Sequence, residues 1–187
     1  MASPLRKFAA ILFFVLIVGL AVALFGYRLA VKSLPDYQAT VNLDVLEQTV
    51  HVYWDGYKVP HIYAQNERDL FRVAGYLVAQ ERLWQMDLCR RIAIGRLSEI
   101  FGRRTLENDV FARTWCFQRV AEKIVADLPD GARATLENYT AGVNRFIETH
   151  RHALPVEFAL LGYEPEAWRV TDSIAFARFM AFQLSFT

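Results

Sequence analysis

The chain opens on an unbroken apolar run and only later settles into amphipathic periods. From Phe8 to Tyr27 no charged residue occurs, and the core FAAILFFVLIVGLAVALF is apolar apart from Gly19. A helix of that length crosses a bilayer. Arg6 and Lys7 precede it and no acidic residue comes before Asp36, so the positive-inside rule places Met1 in the cytoplasm and everything after about Lys32 outside it. The run is longer than the about 7–15 apolar residues of a secretory signal. Ala21-Val22-Ala23, the small-residue pattern, lies inside it. Both points favour an uncleaved signal anchor over a cleaved signal peptide. Residues 1–31 are thus expected to be an anchor, and 32–48 a juxtamembrane linker in which Pro35 stops the helix.

Beyond the linker the period changes to two. Thr49 to Trp54 and Val59 to Ala64 are rich in β-formers and flank the turn signal Asp55-Gly56, which predicts a β-hairpin. Pro60 sets an edge position or a strand start. Asn66, with Asp69 three residues on, predicts an N-cap and a helix from about Glu67. Along that helix Leu70, Ala74, Leu77, Glu81, Trp84, Leu88 and Ile92 make one stripe, with Phe71, Val78, Gln85 and Cys89 beside it. Glu81 then requires neutralisation by Arg82, Arg90 or Arg91, or a polar cavity. Asp87 and Arg91 are spaced as a surface pair. Gly95 and Gly102 punctuate the end.

Helical spacing continues over about Leu106 to Leu128, which stops at Pro129-Asp130-Gly131, then over about Gly131 to Thr149 and, more briefly, over Leu154 to Gly162. Thr171-Asp172 opens a last helix, expected to be still running when the sequence ends at Thr187. Its residues Ala175, Phe176, Phe179, Met180, Phe182, Leu184 and Phe186 form an apolar surface that needs further protein to cover it. The fold class read from these periods is mostly α, with an N-terminal β-hairpin and one N-terminal transmembrane helix.

Composition narrows the chemistry. With 54% hydrophobic and 22% charged residues the chain is an ordered globular one. Lys+Arg 21 against Asp+Glu 20 leaves no electrostatic footprint for nucleic acid, and no nucleic-acid partner is expected. Without Arg6, Lys7 and Arg28 the exported remainder is mildly acidic. Cys89 and Cys116 are too few for a disulfide framework or a zinc site, and two buried thiols are expected. His51, His61, His150 and His152 have no metal-ligand spacing. No Gly-x-Ser-x-Gly elbow and no phosphate loop occur. Ser33, Ser98, Ser173 and Ser185 sit in linker or helix contexts. Glu81, Asp87 and Glu99 are better explained by an ion-paired amphipathic helix than by acid–base catalysis.

Two stretches go beyond periodicity. VPHIYAQNERDLFRVAGYLVAQERLWQMDLCRRIAIGRLSEIFG, from Val59 to Gly102, and LPVEFALLGYEPEAWRVTDSIAFARFMAFQLS, from Leu154 to Ser185, resemble the N-terminal (α-chain) region of the penicillin amidase family. Its members include penicillin, cephalosporin and acyl-homoserine-lactone acylases. The resemblance runs from about Val50 to the end, so residues 49–187 are expected to be an incomplete α-chain region of the αββα N-terminal-nucleophile hydrolase fold.

The resemblance implies a periplasmic hydrolase of linear amides, made as a precursor that cuts itself to expose a Ser at the start of a β-chain. That Ser, with its own α-amine as base, attacks the substrate carbonyl, and β-chain donors stabilise the oxyanion. Within residues 1–187 no catalytic residue is expected, and the chain alone is expected to be inactive and prone to aggregate. The implied partners are the β-chain of the same precursor, a small acyl amide, as in antibiotic synthesis or quorum-signal degradation, and the membrane through residues 8–27. The body is then anchored at the inner membrane, or free in the periplasm if the segment is cleaved. Met180, Gln183 and Leu184 match positions that line the family's acyl pocket. Penicillin G acylases carry Arg and Phe where this sequence has Gln183 and Leu184. The Arg helps hold a β-lactam carboxylate, so a less polar or longer acyl amide suits this sequence at least as well. Calcium is implied only for the complete enzyme, through a Glu beyond Thr187, and no metal ligand or cofactor is assigned here. His61, Gln80, Arg82, Gln85, Arg90, Arg91 and Glu99 match positions expected to form buried polar networks. The other reading of the chain is a noncatalytic membrane-anchored helical binding or assembly module.

Overall fold

The structure is a computed structural model and describes residues 4–185. Helix α1, Pro4–Lys32, carries the apolar run and stops three residues before Pro35. Its segment Ile11–Arg28 has a mean hydropathy of 2.3 and is buried nowhere against the rest, so it is long and apolar enough to cross a membrane.

Strands β1 (His51–Trp54) and β2 (Pro60–Tyr63) pair antiparallel, with Val52 opposite Ile62 and Trp54 opposite Pro60. Alternation turns Val52, Trp54 and Ile62 to the core, while Tyr53 and Tyr63 meet edge to face outside, centroids 5.6 Å apart. The turn is organised by Asp55 rather than by Gly56. The Asp55 carboxylate accepts from the Tyr57 and Val59 amides at 2.8 and 2.9 Å, and the left-handed residue is Lys58, with φ 63°. Pro60 is the first residue of its strand, where its missing amide costs least.

Helix α2, Glu67–Ile94, is capped as its sequence predicts. The Asn66 side chain accepts from the Asp69 amide at 2.8 Å, and Gly95, with φ 70°, closes the other end. It packs along α6, Asp130–Thr149, at a crossing where both helices thin to glycine. A Cβ on Gly75 would lie 2.1 Å from the Tyr139 carbonyl oxygen, and one on Gly142 would lie 1.8 Å from that of Arg72. That approach buries Val73, Tyr76, Leu83, Val143, Phe146 and Ile147, with Phe158 of α7 (Val156–Leu161) and Trp168 closing the core.

Two expectations for α2 are corrected. Glu81 is exposed and takes a 3.4 Å bond from the Tyr37 hydroxyl, and among the described residues no arginine pairs with it. Asp87, expected on the surface with Arg91, is only 1% exposed. Leu77 of the apolar stripe is buried, but other buried positions run one residue before that stripe, through Val73, Tyr76, Leu83 and Asp87, and Asp87 can be buried there because Arg90 and Arg91 neutralise it.

After α2 come the short helices α3 (Ser98–Phe101) and a 3₁₀ turn, Gly102–Thr105. The single helix expected over about Leu106 to Leu128 is two, α4 (Leu106–Thr114) and α5 (Phe117–Ala126). Cys116 breaks it by adopting φ 58°, and its thiol takes a 3.1 Å bond from Arg119. Cys89 and Cys116 are free and half-buried rather than buried. Helix α8, Val170–Leu184, packs on α5 through Ala175 and Phe179 against Ala121 and Phe117. Phe186 and the expected continuation of this helix to Thr187 lie outside the described residues.

The linker stretch is tied down at its far end. Asp69, fully buried, accepts from the Glu47 and Gln48 amides at 3.0 and 2.9 Å, and Arg72 donates to the Val45 carbonyl at 2.7 Å. Leu43 and Leu46 pack on the core beneath.

Candidate functional site

Helix α8 carries the candidate substrate residues, and its placement is fixed by charge. Asp87 on α2 accepts from Arg90, from Arg91 Nε at 2.9 Å and from the Tyr163 hydroxyl at 2.8 Å. Arg90 reaches on to Asp172 at 3.3 Å and to the Ala167 carbonyl at 3.1 Å. Asp172 closes the α8 N-terminus by accepting from the Arg169 amide at 2.9 Å. Asn144 of α6 clasps the Trp168 backbone from both sides, at 2.6 and 2.9 Å. The first turn of α8 is therefore held by α2 and α6 together.

An outer tier closes the network. Arg96 spans Glu99 and Glu166, at 2.6 Å from each. Those bonds hold the Glu166 carboxyl down at about 2 and lower that of Glu99. Burial first, and then the Asp87 carboxylate, push the Tyr163 phenol up. The Glu166 and Glu99 carboxyls are thereby favoured as carboxylates and the Tyr163 phenol as the neutral form, and the bonds of the network position α8.

Of the polar residues expected in buried networks, Arg90, Arg91 and Glu99 belong to this one. His61 stands 3.6 Å from Asp55 in the hairpin turn, and Gln80 faces the groove beneath the hairpin. Arg82 and Gln85 are exposed and take no part. The serines serve structure: Ser98 donates to Asp109, Ser173 accepts from Trp168 Nε1 at 2.9 Å and Ser185 donates to the Phe182 carbonyl at 2.6 Å. Among the described residues no three His, Cys, Asp or Glu side chains are grouped to hold a metal ion.

Met180, Gln183 and Leu184 share one face of α8 by the three- and four-residue spacing. All three are exposed, Met180 at 43% and Leu184 at 66%, and they line neither the cavity among α2, α6 and α8 nor the groove beneath the hairpin. The structure thus brings them together on an open wall. Beside them Phe182 nests among Trp115, Phe117 and Phe111, with centroids at 4.4, 5.5 and 5.7 Å. Trp115 and Val110 remain 51% and 58% exposed at its edge. This aromatic rim was missed in the sequence, because it depends on the break at Cys116 that folds α5 back under α8.

The sequence model of the penicillin amidase family matches residues 49–187. The chain belongs to the penicillin amidase family. It is 38% identical over 146 residues to the penicillin acylase 2 proenzyme of Pseudomonas sp. (strain SE83), covering 78% of this chain and 19% of that protein. It is 33% identical to the acyl-homoserine lactone acylase QuiP of Pseudomonas aeruginosa, over 75% of this chain and 17% of the relative. A solved structure, a thermostable penicillin G acylase from Alcaligenes faecalis, superposes with a TM-score of 0.67 at 29% identity, covering 76% of this chain and 77% of that one. The chain therefore spans about a fifth of the length of these curated relatives. The mostly helical architecture with one small hairpin is that of this penicillin amidase relative.

Proposed function

We propose that this chain is the α-chain part of an exported acylase that hydrolyses linear acyl amides, its nucleophile a Ser that begins a β-chain cut from the same precursor. The observation that carries the reading is the family match over residues 49–187, with relatives named as acylases for both penicillin and acyl-homoserine lactones. In this reading the freed α-amine of the Ser takes the hydroxyl proton, the oxygen attacks the amide carbonyl, and water hydrolyses the acyl-enzyme. The role of α8 is to present Met180, Gln183 and Leu184 as one wall of the acyl site. Their open face beside the aromatic rim of Phe111 and Trp115 suits burial against a second chain.

Gln183 cannot pair with a carboxylate as an arginine does, which favours an acyl amide with an uncharged leaving group, such as an acyl-homoserine lactone. Helix α1 serves as the anchor, with Arg6 and Lys7 inside and the body in the periplasm. Residues 1–31, 32–48 and 49–187 divide as anchor, linker and α-chain region.

The test reads the gene past the codon for Thr187 and expresses all of it. An in-frame, Ser-led β-chain and release of acid from an N-acyl-homoserine lactone are expected, with Gln183→Arg shifting preference toward a carboxylate-bearing amide. A stop codon with no β-chain gene alongside, or a mature two-chain protein inert on every acyl amide offered, overturns the proposal in favour of the binding-module reading.

A further inference from the structure

A separate cavity lies between α2, α6 and the start of α8. It has a volume of about 520 Å³, within the range of small-molecule sites, and apolar walls from Phe71, Val78, Met86, Leu136 and Phe176. Apart from Arg82 its polar side chains are uncharged types, among them Gln85, Cys89, Thr135 and Tyr139. Burial pushes the Cys89 thiol and the Tyr139 phenol up, so both stay protonated at neutral pH.

The one charge on the cavity wall is Arg82. It is exposed, which puts it at the rim, and no hydrogen bond, ion pair or ring contact holds it among the described residues. Its neighbour Glu81 is engaged by Tyr37. Arg82 is also where α2 departs from helical geometry, at φ −138° and ψ 16°. That departure sits at the cavity, whereas the rest of α2 is regular. An irregular helix residue with a spare guanidinium beside an apolar hollow is the arrangement of a site with a greasy interior and an anion-binding edge.

We propose that this cavity binds a monocarboxylate bearing an alkyl or arylalkyl chain, the chain lying among α2, α6 and α8 and the carboxylate paired with Arg82. The proposal does not depend on the acylase reading, although an acid of this kind is what hydrolysis of an acyl amide releases. It is also distinct from the wall formed by Met180, Gln183 and Leu184, none of which lines the cavity.

The test uses the whole chain in phospholipid nanodiscs with Cys116→Ser, which leaves Cys89 in the cavity wall as the one thiol. Alkylation of Cys89 by iodoacetamide is followed by mass spectrometry as sodium octanoate is added. Saturable, several-fold slowing is expected. Methyl octanoate should protect with about tenfold weaker apparent affinity, the size of one lost charge-assisted bond. Arg82→Gln should impose the same loss on octanoate while leaving methyl octanoate unchanged, and Arg82→Lys should retain most of the octanoate effect. No protection by octanoate, equal protection in Arg82→Gln, failure of Arg82→Lys to retain it, or protection that arises only when a partner protein is added would each overturn the proposal.

Discussion

Substituting Gly142 by alanine places a methyl group where the structure has no room. The new Cβ would stand 1.8 Å from the Arg72 carbonyl oxygen, 2.8 Å from its carbon and 2.9 Å from the Tyr76 nitrogen. These are backbone atoms of the facing helix, so no rotamer change relieves the contact, and α2 and α6 must separate by more than 1 Å to restore van der Waals distance. Separation loosens Val73, Tyr76, Val143 and Phe146, which the crossing buries. Overpacking of this kind costs about 3 kcal/mol, and alanine returns about 1 kcal/mol as the better helix former. The net loss is about 2 kcal/mol, or about 4–8 °C in Tm for a chain of this size. The assay is thermal and urea unfolding of the whole chain in mild detergent, followed by tryptophan fluorescence and circular dichroism. Gly131→Ala, also in α6 but with nothing within 4 Å of the added Cβ, is the control and should be neutral or slightly stabilising. If Gly142→Ala matched or exceeded the parent in midpoint, the close crossing would not be what aligns these helices.

Three further outcomes follow from the charge network and the linker. Asp87→Ala removes the carboxylate shared by Arg90 and Arg91, 3% and 4% exposed, leaving Arg90 to Asp172 at 3.3 Å and Arg91 to Glu99 at 2.8 Å, and should lower stability by about 3 kcal/mol in urea titration; a loss under about 1 kcal/mol would contradict that pairing. Glu166 has its carboxyl lowered from 4.5 to about 2 by Arg96, so its contribution is present above 4.5 and fades as pH falls toward 2, and Glu166→Gln should flatten the acid limb of the stability curve across that window. A limb of unchanged slope would show that the ion pair is idle. Asp69→Ala releases the amides of Glu47 and Gln48 and should accelerate limited proteolysis within residues 43–48, with unchanged cleavage rates counting against a clamp.

Local signals carried most of the architecture. Asn66 and Gly95 bound α2 because caps are short-range chemistry, and Val52, Trp54 and Ile62 share a face because a strand has a period of two. Failures arose where distant partners decide. A hydrophobicity rule cannot bury Asp87, since its burial depends on Tyr163, 76 residues away. Nor can it end a helix at Cys116, where neither glycine nor proline marks the left-handed residue. Asp69 reads as a capping residue in sequence, and its bonds to Glu47 and Gln48 are invisible there. At the candidate site, the shared face of Met180, Gln183 and Leu184 follows from spacing. Its openness does not, because it depends on where α5 and α4 stop covering α8. The cavity beside Arg82 was likewise hidden, being bounded by three helices from separate stretches of chain.

The grip of Asp69 on Glu47 and Gln48 also sets a leash length. With Leu43 and Leu46 seated on the core and α1 ending at Lys32, residues 33–42 bridge helix and body, and Tyr37, edge to face on Trp54 at 4.6 Å, holds that bridge to the hairpin. Fully extended they span at most about 35 Å, roughly one domain diameter. An anchored α1 would therefore keep the start of α2 within that distance of the bilayer surface, confining the body to a thin shell above the membrane, where molecules that partition into lipid are more concentrated than in bulk water.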